Sequence, residues 1–108
     1  MNQLDKSIDL INLYDIYQDL LTDKQREYFE LYYYEDYSLQ EISENLGVSR
    51  NAAHDQIKRT EKKLHDFESR LHLKSQEIQR NKIITQIKQS TTDETVLKWI
   101  DELEKVEW

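Results

Sequence analysis

The chain has no cysteine, no proline and a single glycine in 108 residues, and each shortage removes a class of structure. Without cysteine there is no disulfide and no thiolate metal site, and the redox compartment is left unconstrained. With no proline, and only one residue that enters the left-handed backbone region cheaply, sharp turns are scarce, so Gly47 marks the bend that matters most. No apolar run is long enough to span a bilayer and none has the layout of a secretory signal, which makes a cytoplasmic location without membrane attachment the expectation. Sustained period-2 alternation is absent, which argues against a sheet. Gly-rich phosphate loops, a nucleophile elbow and metal-protease spacing are missing as well, so the expectation is a non-enzyme that needs no cofactor.

What the chain has in quantity is charge. It carries 34% charged against 37% hydrophobic residues, enough for a thin core that helix-helix contacts or a partner subunit would complete. The net charge of -7 argues against indiscriminate coating of nucleic acid, but its distribution is uneven. Residues 1–46 hold 3 basic and 11 acidic side chains, residues 47–90 hold 10 and 5, and residues 91–108 hold 2 and 6. The basic third starts at Gly47.

Around that glycine the residues spell a helix-turn-helix. Ser38 with Glu41 forms a capping box, and Tyr37 with Ile42 can close a hydrophobic staple over it. Ser49 caps a second helix, leaving Gly47 and Val48 as the bend. Small Ser43 falls where the two helices would cross, and Ile42, Leu46, Val48, Ala53 and Ile57 form the apolar set between them. Any two-helix corner of a bundle packs in this way, but cap, spacing, small residue and glycine here all agree with a helix whose start lies in a major groove.

The remaining apolar spacing is helical. Leu10, Leu13, Tyr14, Tyr17, Leu20 and Leu21 predict a first helix over about residues 5–20. Thr22 with Gln25 is a second capping box, opening a helix with the apolar face Tyr28, Phe29, Tyr32 and Tyr33. The helix from Arg50 carries a heptad seam of Ala53, Ile57, Thr60, Leu64, Phe67 and Leu71. It is longer than groove contacts require, so its distal half is expected to pack on something beyond its own domain. Ile78, Ile83, Ile84 and Ile87 predict a fifth helix. A third capping box, Thr91 with Glu94, predicts the start of a sixth, with Val96, Trp99, Ile100 and Leu103 on its apolar side. The expected architecture is all-α: a three- to four-helix head over residues 1–71, of the sigma region 4 or winged-helix kind, and a helical extension over residues 72–108.

The stretch from Leu20 to Leu71 resembles the region 4 DNA-binding domain of bacterial sigma factors in Leu-Leu-Thr-Asp-Lys-Gln-Arg (20–26), Glu-Asp-Tyr-Ser-Leu-Gln-Glu-Ile-Ser (35–43) and Val-Ser-Arg-Asn-Ala-Ala-His-Asp-Gln-Ile-Lys-Arg-Thr-Glu (48–61). More closely, it resembles the YlxM family, small bacterial helix-turn-helix proteins whose genes neighbour those of the signal recognition particle. The resemblance covers nearly the whole chain. It implies an all-helical cytosolic protein, dimeric, taking part in the signal recognition particle pathway as a regulator.

On the long helix, Arg50, Asn51, His54, Asp55 and Lys58 point away from the seam near its start. Arg can bond guanine and Asn adenine, each bidentately, while Lys58, Arg59 and Lys62 stand where phosphates would pass. The candidate nucleic-acid-binding residues are therefore Arg50, Asn51, His54, Lys58, Arg59 and Lys62, with DNA expected over RNA; a solvated face of mixed charge is the plainer alternative. A second stripe, His54, Lys58, Glu61, His65, Glu68 and His72, has spacing that suits a transition metal. Exposed Glu-His pairs explain it equally, and no metal is assigned. Tyr28, Tyr32, Tyr33, Tyr34 and Tyr37 could stack bases, but their acidic surroundings repel phosphate, so they are read as core and interface. Asp5, Asp9, Asp15 and Asp19 read as a solvated face.

Ile83, Ile84, Ile87, Trp99, Ile100, Leu103 and Trp108 are large for a tail with little domain to cover. They predict a homodimer interface or a fold-back onto the long helix. Two functions compete: a regulator that binds nucleic acid, and an adaptor that binds the signal recognition particle protein or its receptor and keeps the helix-turn-helix as scaffold.

Overall fold

A computed structural model describes residues 3–106; Trp108 lies outside them. The described chain is helical: α1 (Gln3–Tyr17), a 3-10 turn (Gln18–Leu20), α2 (Asp23–Tyr33), α3 (Leu39–Leu46), α4 (Arg50–Leu71), α5 (Leu73–Ser90) and α6 (Glu94–Lys105). No strand occurs among the described residues. They fall into two compact units, one ending at Lys74 and the other starting at Ser75.

In the first unit the helix ends are set by local chemistry. Thr22 and Gln25 exchange both bonds of their capping box, at 3.1 and 2.9 Å, and so do Ser38 and Glu41, at 3.1 and 3.0 Å. These bonds satisfy amides that the first turn of a helix leaves without partners. The hydrogen bonds that the Ser38 backbone and side chain donate to it also hold the Glu41 carboxyl below its ordinary range. The first helix differs from its predicted span. Its α-helical part stops at Tyr17, and residues 18–20 tighten into the 3-10 turn, closed by Leu21 N–H on the Gln18 carbonyl at 3.0 Å.

Two left-handed residues that are not glycine complete the turns. Asp36, at φ 61°, follows α2, and His72, at φ 58°, ends α4. His72 donates its N–H to the Glu68 carbonyl at 2.9 Å, and one residue later α5 begins. The amides of Leu73 and Lys74 then reach back to the Tyr17 hydroxyl (3.1 Å) and a Glu68 carboxylate oxygen (2.9 Å). Lys74 Nζ bonds Asp9 at 3.3 Å, which ties the last residue of the first unit to α1.

The core of this unit has two clusters, and α4 belongs to both. In one, Tyr28, Ile42, Ala53 and Ile57 are buried, with Leu46, Val48 and Tyr37 packed against them. In the other, Leu10, Leu13, Tyr14, Tyr17, Leu21, Phe29 and Leu64 are buried, with Phe67 at the edge. The expectation that the distal half of the long helix packs outside its own domain is therefore corrected. Leu64 and Phe67 pack with α1, which lies along the back of α4, and only Leu71 at the end of the seam is exposed. The leucines and tyrosines of α1 are the surface that the seam requires.

In the second unit Ile84 of α5 and Ile100 of α6 are buried, and Lys88 pairs with Glu104 across the two helices. That hydrogen bond raises the Lys88 pKa. The start of α6 corrects the Thr91 prediction. Asp93 is the N-cap, its carboxylate accepting from Thr95 N–H at 2.9 Å and Val96 N–H at 3.3 Å. Thr91 instead accepts from Asp93 N–H at 3.1 Å, forming a turn outside the helix. An ionised carboxylate beside the helix start outcompetes a hydroxyl two residues earlier, because it also meets the positive end of the helix dipole. Ile83, Ile87 and Leu103 stay about half exposed and border a groove of about 330 Å³, while Trp99 is 64% exposed.

Candidate nucleic-acid interface

The turn between α3 and α4 has the geometry that its residues predict. Gly47 sits at φ 67°, ψ 35°, and both its N–H and that of Val48 close on the Ser43 carbonyl. Ser43 is buried, and its hydroxyl donates to the Gln40 carbonyl at 2.8 Å, so the small side chain lies at the crossing without an unpaired polar atom. Ser49 then caps α4, accepting from Ala52 N–H at 3.0 Å. Ile42, Ala53 and Ile57 fasten the two helices together. The start of α4 is thus held rigidly while its outer face is left to solvent.

Arg50, Asn51, His54, Lys58, Arg59 and Lys62 are all exposed on that helix. With Ala53, Ile57, Thr60 and Leu64 facing inward, helical periodicity puts Asn51, Asp55, Lys58 and Lys62 on the opposite side, with Arg59 beside them. His54 stands nearer the edge, its Nδ1 3.9 Å from Asp55 Oδ1. Arg59 and Lys62 make no ion pair among the described residues. Lys58 is different: its Nζ lies 3.4 Å from Glu61 Oε1.

Glu61 in turn accepts from the Tyr33 hydroxyl at 3.0 Å through Oε2. Its side chain is only 15% exposed, so the carboxylate is held at the edge of the core. The Tyr33 pKa is raised, first by burial and then by the Glu61 charge. The same pairing recurs elsewhere in the head. Tyr14 donates to Glu30 at 2.8 Å and Tyr17 to Glu68 at 2.6 Å. Burial and the carboxylate raise the pKa of both, that of Tyr17 to about 12.

These bonds involve residues of both the His-Glu stripe and the tyrosine cluster. Glu61 and Glu68, the carboxylates of the metal-like stripe, are hydrogen-bond acceptors for tyrosine, and no group of three metal-ligating side chains gathers among the described residues. Of the tyrosine cluster, Tyr28 is buried and Tyr32, Tyr33 and Tyr37 are packed against core residues, while Tyr34 is half exposed beside Tyr14 and Phe29. The Tyr-Glu pairs escaped sequence reading because the partners are 16, 28 and 51 residues apart. Helical periodicity within one element carries no trace of such pairs.

Comparison with known proteins places this geometry in a lineage. The profile of the UPF0122 family, described as "Putative helix-turn-helix protein, YlxM / p13 like", matches residues 4–103. A UPF0122 protein of Oceanobacillus iheyensis is 50% identical over 104 residues, 96% of this chain and 99% of its own. The UPF0122 protein YofM of Lactococcus lactis subsp. lactis is 41% identical over 106 residues, 97% and 96% of the two chains. A relative from Streptococcus thermophilus is 47% identical over 96 residues, 89% and 87% of the two. Matched from its first turn through α6, with α3, Gly47 and α4 at its centre, the chain belongs to the UPF0122 family of helix-turn-helix proteins.

Proposed function

We propose that this protein is a non-catalytic regulator that binds duplex DNA through the outer face of α4, as a homodimer joined through α5 and α6. The observation that carries the reading is a capped, rigidly seated α4 whose exposed residues include Arg50, Asn51, His54, Lys58, Arg59 and Lys62, in the one third of the chain with excess positive charge. Phosphate contacts by Arg59 and Lys62 fix register, and Arg50 and Asn51 read base edges. Two copies present two such helices, matching two half-sites. The resemblance to YlxM proteins extends this to a role in or near the signal recognition particle pathway, in the cytoplasm.

The test is fluorescence anisotropy of labelled duplex over a range of KCl. Affinity is expected to fall steeply with salt, and Lys58, Arg59 and Lys62 all changed to Ala should weaken binding at least tenfold and flatten the slope. Equal binding by the triple variant would contradict phosphate recognition by α4.

A specific observation favours a second reading. Residues 1–46 carry 11 acidic and 3 basic side chains, a balance that repels phosphate and suits a basic protein surface. Under that reading the chain is an adaptor for the signal recognition particle protein or its receptor, and the triple variant leaves its partner binding intact.

A further inference from the structure

The six exposed candidates on α4 are not equivalent, and the difference lies beneath them. Arg59 and Lys62 extend from a side of the helix without a carboxylate partner among the described residues, whereas Lys58 lies 3.4 Å from Glu61 Oε1. An exposed Lys-Glu pair one turn apart ordinarily holds weakly, because either side chain swings into water. Glu61 has lost that freedom. It is 15% exposed, and its second oxygen takes the Tyr33 hydroxyl at 3.0 Å. Tyr33 is itself fixed by ring contacts, at 4.5 Å to Phe29 and 5.0 Å to Tyr32. The carboxylate therefore stands fixed beside a lysine of this helix that a phosphate would otherwise recruit.

We infer that Glu61, positioned by Tyr33, is an intramolecular competitor for nucleic-acid phosphate that holds Lys58 back from the interface. The inference rests on the nucleic-acid reading of α4 and adds to it a positioning residue that lowers affinity. Arg59 and Lys62 then supply the phosphate contacts of the resting protein, and Lys58 contributes only when Glu61 is neutralised or displaced. Phosphate and Glu61 compete for the same ammonium, so their effects on Lys58 are coupled. Mere removal of a nearby negative charge would leave the value of Lys58 unchanged.

That distinction sets the test: a double-mutant cycle of Glu61→Gln and Lys58→Ala in the full chain, read by anisotropy on a labelled 30-base-pair duplex of random sequence at several KCl concentrations. Glu61→Gln is expected to tighten binding about two- to fivefold and to steepen the salt slope by close to one phosphate equivalent. Lys58→Ala is expected to change little in the parent and to abolish that gain in the Glu61→Gln background. Circular dichroism checks that each variant stays helical. If Glu61→Gln does not fold, Glu61→Asp takes its place, since the shorter side chain keeps the charge and withdraws it from Lys58. Binding by the Glu61 variant alone supports the inference. Binding by the parent with Lys58→Ala equally costly in both backgrounds overturns it and leaves the nucleic-acid reading standing. Absence of binding by every variant overturns both.

Discussion

Gly47 holds a left-handed backbone at φ 67°, and a Cβ added there would meet nothing within 4 Å. Any cost of a side chain at this position is therefore backbone strain and not collision, about 1–2 kcal/mol. Gly47→Ala is expected to lose that amount in urea denaturation with an unchanged m-value; unchanged stability would mean that the turn relaxes. At the same scale, the tyrosine hydroxyls link stability to pH. Tyr14, Tyr17 and Tyr33 have folded-state pKa values above the unfolded value of about 10. Their contribution is complete below pH 10 and is lost as pH rises through the folded values, for Tyr17 between about 10 and about 12. Denaturation midpoints should be level from pH 7 to 9 and fall above 10, together with the rise of tyrosinate absorbance. A midpoint that stays level to pH 12 would contradict the buried Tyr-Glu bonds.

Among the elements, α4 does two jobs, with its first half fastened to α3 and its second to α1. Leu64 is fully buried, so Leu64→Ala should cost about 2–5 kcal/mol, whereas Leu71→Ala, at a position 45% exposed, should cost under about 1 kcal/mol. Similar losses at both sites would mean that the end of the seam is covered after all. The cap of α6 gives a parallel contrast: Asp93→Ala should remove about 1 kcal/mol of helix stability, and Thr91→Ala less, seen as fraying of the Thr95 and Val96 amides in hydrogen exchange. How far the elements were legible follows from where the information sits. The α3 turn, with its serine caps, Ile42, Gly47 and Val48, is local, and the sequence spells it out within twelve residues. The α1–α4 packing and the Tyr33–Glu61 bond are long-range, so spacing along α4 alone shows neither what covers the seam nor what fixes the carboxylate beside Lys58. Asp36 and His72 take left-handed turns that glycine would have announced, and their side chains gave no such signal.

For the whole molecule, a basic stretch is set between two acidic ones, and a second unit carries half-exposed Ile83, Ile87 and Leu103 with Trp99 more open still. At about 25 cal/mol per Å², covering such a surface favours self-association. Trp99→Ala with Ile83→Ala should raise the dimer dissociation constant by at least tenfold in sedimentation equilibrium while leaving the head folded; a full-length monomer at micromolar concentration would contradict the homodimer. The central claim, however, is that α4 meets phosphate. The most direct measurement is the slope of log affinity against log KCl for a duplex, in the parent and in the Arg59→Ala, Lys62→Ala double variant. We expect a steep negative slope in the parent, reduced by about two phosphate equivalents in the variant. A flat slope, or the same slope in both proteins, would contradict it.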